Sequence, residues 1–143
     1  MKSSVLSLLL PLLLLLGCKP ALVEEITESY PDGSPKIVRY YEDHDGVRDL
    51  VKEKAFYPDH NLMYEGEFRD NLKHGKWIVY YKNGNRWSVG YFKKGLDDGK
   101  RTTYHENGKK NFEGKYSNGE MVGKWRFYDE NGKLIKEIDY TKK

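Results

Sequence analysis

The sequence predicts an all-β protein: an elongated antiparallel sheet of repeated β-hairpins with a 24-residue period. Three observations lead there. Beyond Gly17 the chain's 12 Tyr, 5 Phe and 3 Trp outnumber its Leu, Ile and Val taken together; aromatic and β-branched side chains favour pleated, half-buried strands. Asn-Gly pairs at Asn83-Gly84, Asn107-Gly108 and Asn131-Gly132 stand between apolar runs, which is a strong hairpin signal. Several columns of residues also recur at a fixed step of 24: Gly66, Gly90 and Gly114; Gly75, Gly99 and Gly123; Gly84, Gly108 and Gly132; Tyr80, Tyr104 and Tyr128; and Phe68, Phe92, Tyr116 and Tyr140. A helical bundle is excluded, because no segment after residue 18 carries a long 3.6-period apolar stripe. A single cysteine excludes a disulfide scaffold.

Taken in order, residues 1–17 read as a signal peptide. Met1-Lys2 is a short basic start, and Val5–Leu16 is an apolar run containing Pro11. Twelve residues span roughly 18 Å as a helix, short of a bilayer core of about 30 Å, so the run is a signal h-region rather than a membrane span. It ends in Leu15-Leu16-Gly17-Cys18. That ending resembles the bacterial lipobox, which implies cleavage before Cys18 and a lipid on its thiol, with residues 18–29 as lipidated N-terminus and tether. Lys19 stands where an inner-membrane retention signal usually has Asp, so the resemblance implies the bacterial cell envelope and the outer rather than the inner membrane.

Residues 30–143 form the repeat domain. Each unit reads strand, turn, strand, connection: in one copy, Lys100–His105, Glu106-Asn107-Gly108, Lys109–Tyr116 and Ser117–Gly123. Either a two-residue type I′ turn or a three-residue bulged loop closes the hairpin. The bulged loop is preferred because it puts Tyr104 on one face with Phe112, Gly114 and Tyr116, and Arg101, Asn111, Glu113 and Lys115 on the other. A strand glycine is weak unless another group covers it, and an aromatic ring over bare backbone recovers that loss. The expectation is that Tyr80, Tyr104 and Tyr128 lie over Gly90, Gly114 and the matching Ile138. An earlier degenerate copy starts at Tyr30-Pro31-Asp32-Gly33 and matches Tyr57-Pro58-Asp59-His60 at a step of 27. The three extra residues fall in Glu42–Glu53, which suggests a longer loop.

The run Tyr64-Glu65-Gly66-Glu67-Phe68-Arg69-Asp70-Asn71-Leu72-Lys73-His74-Gly75-Lys76-Trp77 resembles the MORN repeat (membrane occupation and recognition nexus). Its later copies run from Ser88 through Gly99 and from Phe112 through Trp125. The 24-residue step and the Tyr-x-x-Asn-Gly turn are similar to the bacterial variant of that repeat, over about residues 30–140. Asn71-Leu72 lacks the glycine that Gly95 and Gly119 supply, and Ile138 replaces the strand glycine in the last copy, as terminal repeats often depart from the pattern. The resemblance implies a twisted sheet of hairpins that serves as a scaffold, protein-binding or lipid-associated module, and a repeat not known for catalysis. Proteins of the variant are often labelled antitoxins, which implies an alternative function: an immunity-type protein that binds and neutralises a toxin.

No catalytic residues emerge. His44, His60, His74 and His105 have no metal-ligand spacing and read as solvated loop residues; Asp97-Asp98 and Asp129-Glu130 read as loop carboxylates. No nucleophile elbow or phosphate loop is present, and no cofactor is implied. The formal charge of +3 is too small to argue for nucleic acid. One feature breaks the alternation: Trp77, Val79, Trp87, Val89 and Tyr91 fall on the face expected to be polar, where the next unit has Arg101, Thr103, Asn111, Glu113 and Lys115. Either a loop or residues 19–29 fold over these residues, or the sheet buries both faces there, or they form an aromatic binding patch. The function expected is therefore a non-catalytic lipoprotein, held to a membrane through Cys18, whose repeat surface binds a protein partner. A carbohydrate ligand for the Trp and Tyr side chains is a further reading.

Overall fold

The computed structural model describes residues 22–141. The expected signal peptide and Cys18 lie outside the described residues. Strands alternate with tight turns throughout: β1 (Leu22–Ser29), β2 (Pro35–His44), β3 (Val47–Phe56), β4 (Leu62–Arg69), β5 (Leu72–Tyr80), β6 (Arg86–Lys93), β7 (Leu96–Asp97), β8 (Gly99–Tyr104), β9 (Lys110–Ser117), β10 (Glu120–Tyr128) and β11 (Leu134–Asp139). They make one antiparallel sheet whose strand order follows the chain, with β7 and β8 both pairing with β6. The all-β sheet of hairpins that the sequence predicts is the observed architecture. Leu22–Ser29, expected within the tether, pairs with β2 instead, because β2 would otherwise present a bare edge.

The two edges of the sheet use different turns. Along one edge, the loops Pro31-Asp32-Gly33, Pro58-Asp59-His60, Lys82-Asn83-Gly84, Glu106-Asn107-Gly108 and Glu130-Asn131-Gly132 each hold three residues. In the fourth, Gly108 N donates to His105 O at 2.9 Å and His105 N to Lys109 O at 2.8 Å, while Gly108 takes φ +83°. That is a type I turn closed by a left-handed glycine, the bulged loop preferred on patterning. Along the other edge, Asp45-Gly46, Asp70-Asn71, Lys94-Gly95 and Asn118-Gly119 have positive φ at both residues, as two-residue type I′ turns require. The expected long loop in Glu42–Glu53 is absent: the extra residues lengthen β2 and β3 around Asp45-Gly46. Ser117–Gly123, expected as a connection, likewise contains one such turn between strand ends.

Facing is where sequence and structure part. A second irregularity follows each bulged loop: Thr103 pairs with Phe112 but Tyr104 with Lys110, leaving Asn111 unpaired. Met63, Trp87 and Ile135 are skipped in the same way. One inserted residue exchanges the faces of everything beyond it. Tyr80, Tyr104 and Tyr128 therefore lie on the face opposite the strand glycines and do not cover them. Tyr80 and Tyr128 instead donate to Glu65 (3.2 Å) and Glu113 (2.9 Å) among the charged side chains.

The glycines are covered, but by the next strand. A Cβ on Gly66 would stand 2.1 Å from the Trp77 ring, one on Gly114 2.2 Å from the Trp125 ring, and one on Gly90 2.6 Å from the Arg101 guanidinium. Stacked rings fill the rest of this aromatic face. Tyr64 stacks on Trp77 (5.7 Å between centroids), with Phe68 and Phe92 edge-on to it; Phe112 and Tyr116 flank Trp125 at 5.7 and 4.9 Å. Trp125 is wholly buried and Trp77 is 6% exposed on this face, while Val38 and Ile78 are buried on the opposite one.

Candidate binding cleft on the aromatic face

Four columns, each stepping by 24, build the aromatic face. One runs Tyr64, Ser88, Phe112; the second Glu53, Trp77, Arg101, Trp125; the third Ala55, Val79, Thr103, Phe127; the fourth Phe68, Phe92, Tyr116, Tyr140. Pairing places them side by side: Trp77 opposite Gly90, Val79 opposite Ser88, Arg101 opposite Gly114 and Thr103 opposite Phe112. In the units on either side, the first two columns supply a ring stacked near a ring. In the central unit they supply Ser88 and Arg101.

A cleft of about 270 Å³ opens at that point, lined by Val79, Trp87, Ser88, Asp97, Arg101, Thr103, Phe112 and Tyr116. Arg101 crosses its floor. The guanidinium pairs with Asp97 of β7, and Nη1 donates to Ser88 Oγ at 3.3 Å. It lies 5.3 Å from the Phe92 centroid and 5.8 Å from that of Tyr116. Such cation–π placement compensates a guanidinium for lost water. Burial lowers the pKa of Arg101 from the ordinary arginine value, but that value is so high that the group stays charged. Its Nε is buried and has no hydrogen-bond acceptor among the described residues. Trp87 forms one wall. As the residue skipped by the bulge it is re-aimed out of strict alternation, and it remains 48% exposed, 6.4 Å from the Tyr81 ring.

The five residues expected as one patch are thus divided. Val79 and Trp87 meet at the cleft, and Trp77 is buried beside it under Gly66. Val89 and Tyr91 lie on the opposite, charged face, where they pair with Ile78 and Lys76. Sequence reasoning missed Arg101 and Ser88, although both break 24-residue columns that are aromatic in the flanking units. It also read His105 as solvated. His105 is half-buried and its Nε2 lies 3.0 Å from Tyr128 O, continuing a ladder in which Tyr30, Tyr57 and Tyr81 hydroxyls donate to Phe56 O, Tyr80 O and Tyr104 O. Among the described residues, no group of three His, Cys, Asp or Glu is placed to hold a metal ion.

The comparison with known families attaches to this same period. Residues 73–94, 97–118 and 121–142 match the family described as the MORN repeat variant. Those three segments, one to each step of the period, are similar to MORN-variant repeats. No curated protein matches the chain. Each MORN match begins just past a type I′ turn and includes one bulged loop and the two strands around it. The first matched repeat supplies Trp77, Val79, Trp87 and Ser88 to the cleft, and the second supplies Asp97, Arg101, Thr103, Phe112 and Tyr116. The cleft therefore lies at the junction of two of the matched segments. Repeats of this kind support a binding role, since each unit contributes side chains to a continuous surface.

Proposed function

We propose that this protein is a non-catalytic binding module of the bacterial cell envelope, tethered through a lipid on Cys18, which takes a protein partner on its aromatic face. The observation that carries the binding reading is the exposed Trp87 beside Arg101 in the cleft. Tryptophan and arginine are among the residues enriched at interface hot spots. The tether is supported by the Leu-Leu-Gly-Cys ending of the apolar run.

Crosslinking and pulldown from membranes tests both parts. Trp87→Ala should lose the crosslinked partner. Tyr91→Ala, an exposed aromatic on the other face, should retain it. Cys18→Ala should leave the membrane fraction. Partners retained by Trp87→Ala would refute the binding reading, and a membrane-bound Cys18→Ala would refute the lipid.

A further inference from the structure

We infer that the cleft lined by Ser88 and Arg101 is a binding site for a single aromatic ring, which would stack on the Arg101 guanidinium as Tyr64 stacks on Trp77. The inference rests on the binding reading above and names the chemical group that the site takes.

The repeat itself supplies the comparison. The same two places on the sheet occur three times, and the flanking occurrences are filled by the chain's own rings: Tyr64 on Trp77 at 5.7 Å and an interplanar angle of 27°, and Phe112 beside Trp125 at 5.7 Å and 37°. At the central occurrence the upper ring is replaced by a serine hydroxyl and the lower by a planar cation. Backbone spacing is set by the strand pairing and does not contract to compensate, so the volume of one ring is left over. The observed cleft, about 270 Å³, lies just under the roughly 300–1,000 Å³ of sites that take drug-sized ligands and suits a ring better than a larger molecule.

The chemistry of the walls agrees. Val79, the Thr103 methyl and Phe112 give apolar sides, and Trp87 gives an exposed aromatic wall. A guanidinium offers a flat, weakly hydrated surface that stacks on ring faces. Asp97 already neutralises Arg101, so the site has little to offer a free anion and favours an uncharged ring. The ring can come from a tyrosine or phenylalanine side chain on a partner, or from a small free aromatic molecule; the ring chemistry is common to both.

The test titrates p-cresol and N-acetyltyrosinamide separately into the 15N- and methyl-labelled protein, with N-acetylglycinamide as the ring-free control. The Val79 and Thr103 methyl signals and the Trp87 indole signal should shift saturably with either ring probe, while Val89 on the opposite face stays still. Tighter binding of N-acetyltyrosinamide points to a peptide-borne ring, and equal or tighter binding of p-cresol to a free one. Ser88→Tyr fills the space from within as Tyr64 does, and should weaken both probes at least tenfold while folding with an unchanged or higher Tm. Arg101→Lys keeps the charge but loses the flat surface, and should weaken them at least threefold, which keeps the test decisive if Ser88→Tyr does not fold. Unshifted cleft signals in the wild type, a response to N-acetylglycinamide equal to that of the rings, or undiminished binding by both variants would overturn the inference. Ring binding with no dependence of the membrane partner on Trp87 would sink the partner reading and leave the ring site standing; the reverse pattern would do the opposite.

Discussion

Gly114 and Gly108 are the same residue kept for two different reasons. A Cβ at Gly114 would stand 2.2 Å from Trp125 Cδ2, and the indole has nowhere to go because it is wholly buried. Gly114→Val should therefore cost about 3 kcal/mol, at the upper end of overpacking penalties, with a matching blue-to-red shift of tryptophan emission as the ring is expelled. Gly108 has open space around its missing side chain, but its φ of +83° disfavours any L-residue with a Cβ. Gly108→Ala should cost about 1 kcal/mol and leave the emission unchanged; chemical denaturation of the two variants checks both. On the charged face, burial pushes the Glu113 carboxyl up, but hydrogen bonds from Lys110 and Tyr128 and the charge of Lys100 outweigh it and hold its pKa below the ordinary 4.5. A carboxyl with a lower pKa in the folded state stabilises the fold above its unfolded pKa and loses that contribution as pH falls through the folded value. Glu113→Gln should thus lower Tm at pH 7 and flatten the fall in Tm on acidification below about pH 5, where part of that fall comes from Glu113 in the wild type.

At the scale of the hairpin, the stacking of one unit on the next along the bulged-loop edge is directional. Tyr57 and Tyr81 each send a hydroxyl across to the carbonyl of the residue that ends the next hairpin's inner strand, at 2.9 Å. Asn83, Asn85 and Asn107 side-chain amides reach the next loop's carbonyls at Glu106 and Glu130. These bonds fix the offset between units independently of the ladder hydrogen bonds. Tyr57→Phe and Tyr81→Phe should each cost about 1 kcal/mol, the net value of one such bond. Because they act at different junctions they should add in the double variant, which urea unfolding will measure. The type I′ edge carries less of this bonding, though Gly95 N and Gly119 N do donate to Lys73 O and Asp97 O.

For the whole molecule, the consequence of a single sheet in chain order is that its main contacts join sequence neighbours, so stability is close to a sum over units and their junctions. The two outermost strands pair on one side only among the described residues, and β1 and β11 hold the exposed Leu22, Ile26, Leu134 and Ile135. Buried side chains run from Val38 in β2 and Ala55 in β3 through Trp77, Ile78, Ser88, Thr102 and Thr103 to Trp125 in β10, and none lies in β1 or β11. Amide hydrogen exchange should therefore be slowest around Trp77, Thr102 and Trp125 and rise towards both ends, as in a structure that opens from its edges. Uniform protection from β1 to β11 would mean that the units unfold as one.

The sequence by itself determined the strand class, the period and the bulged loops, because turn chemistry and 24-residue recurrence are local properties that one chain records plainly. Even the covering of bare glycine by a neighbouring side chain followed from the need to recover lost packing. What only the tertiary structure decided was which side chain does the covering and which face each residue takes. The skipped residues Met63, Trp87, Asn111 and Ile135 look like any others in a strand, yet each reverses the alternation, so Tyr104 moved to the charged face, Trp77 and Trp125 moved into the core, and the expected five-residue patch was split. The cleft needed the same information: Ser88 and Arg101 break aromatic columns in the sequence, but the space they line appears only when strand pairing sets them in the places where the flanking units keep their rings.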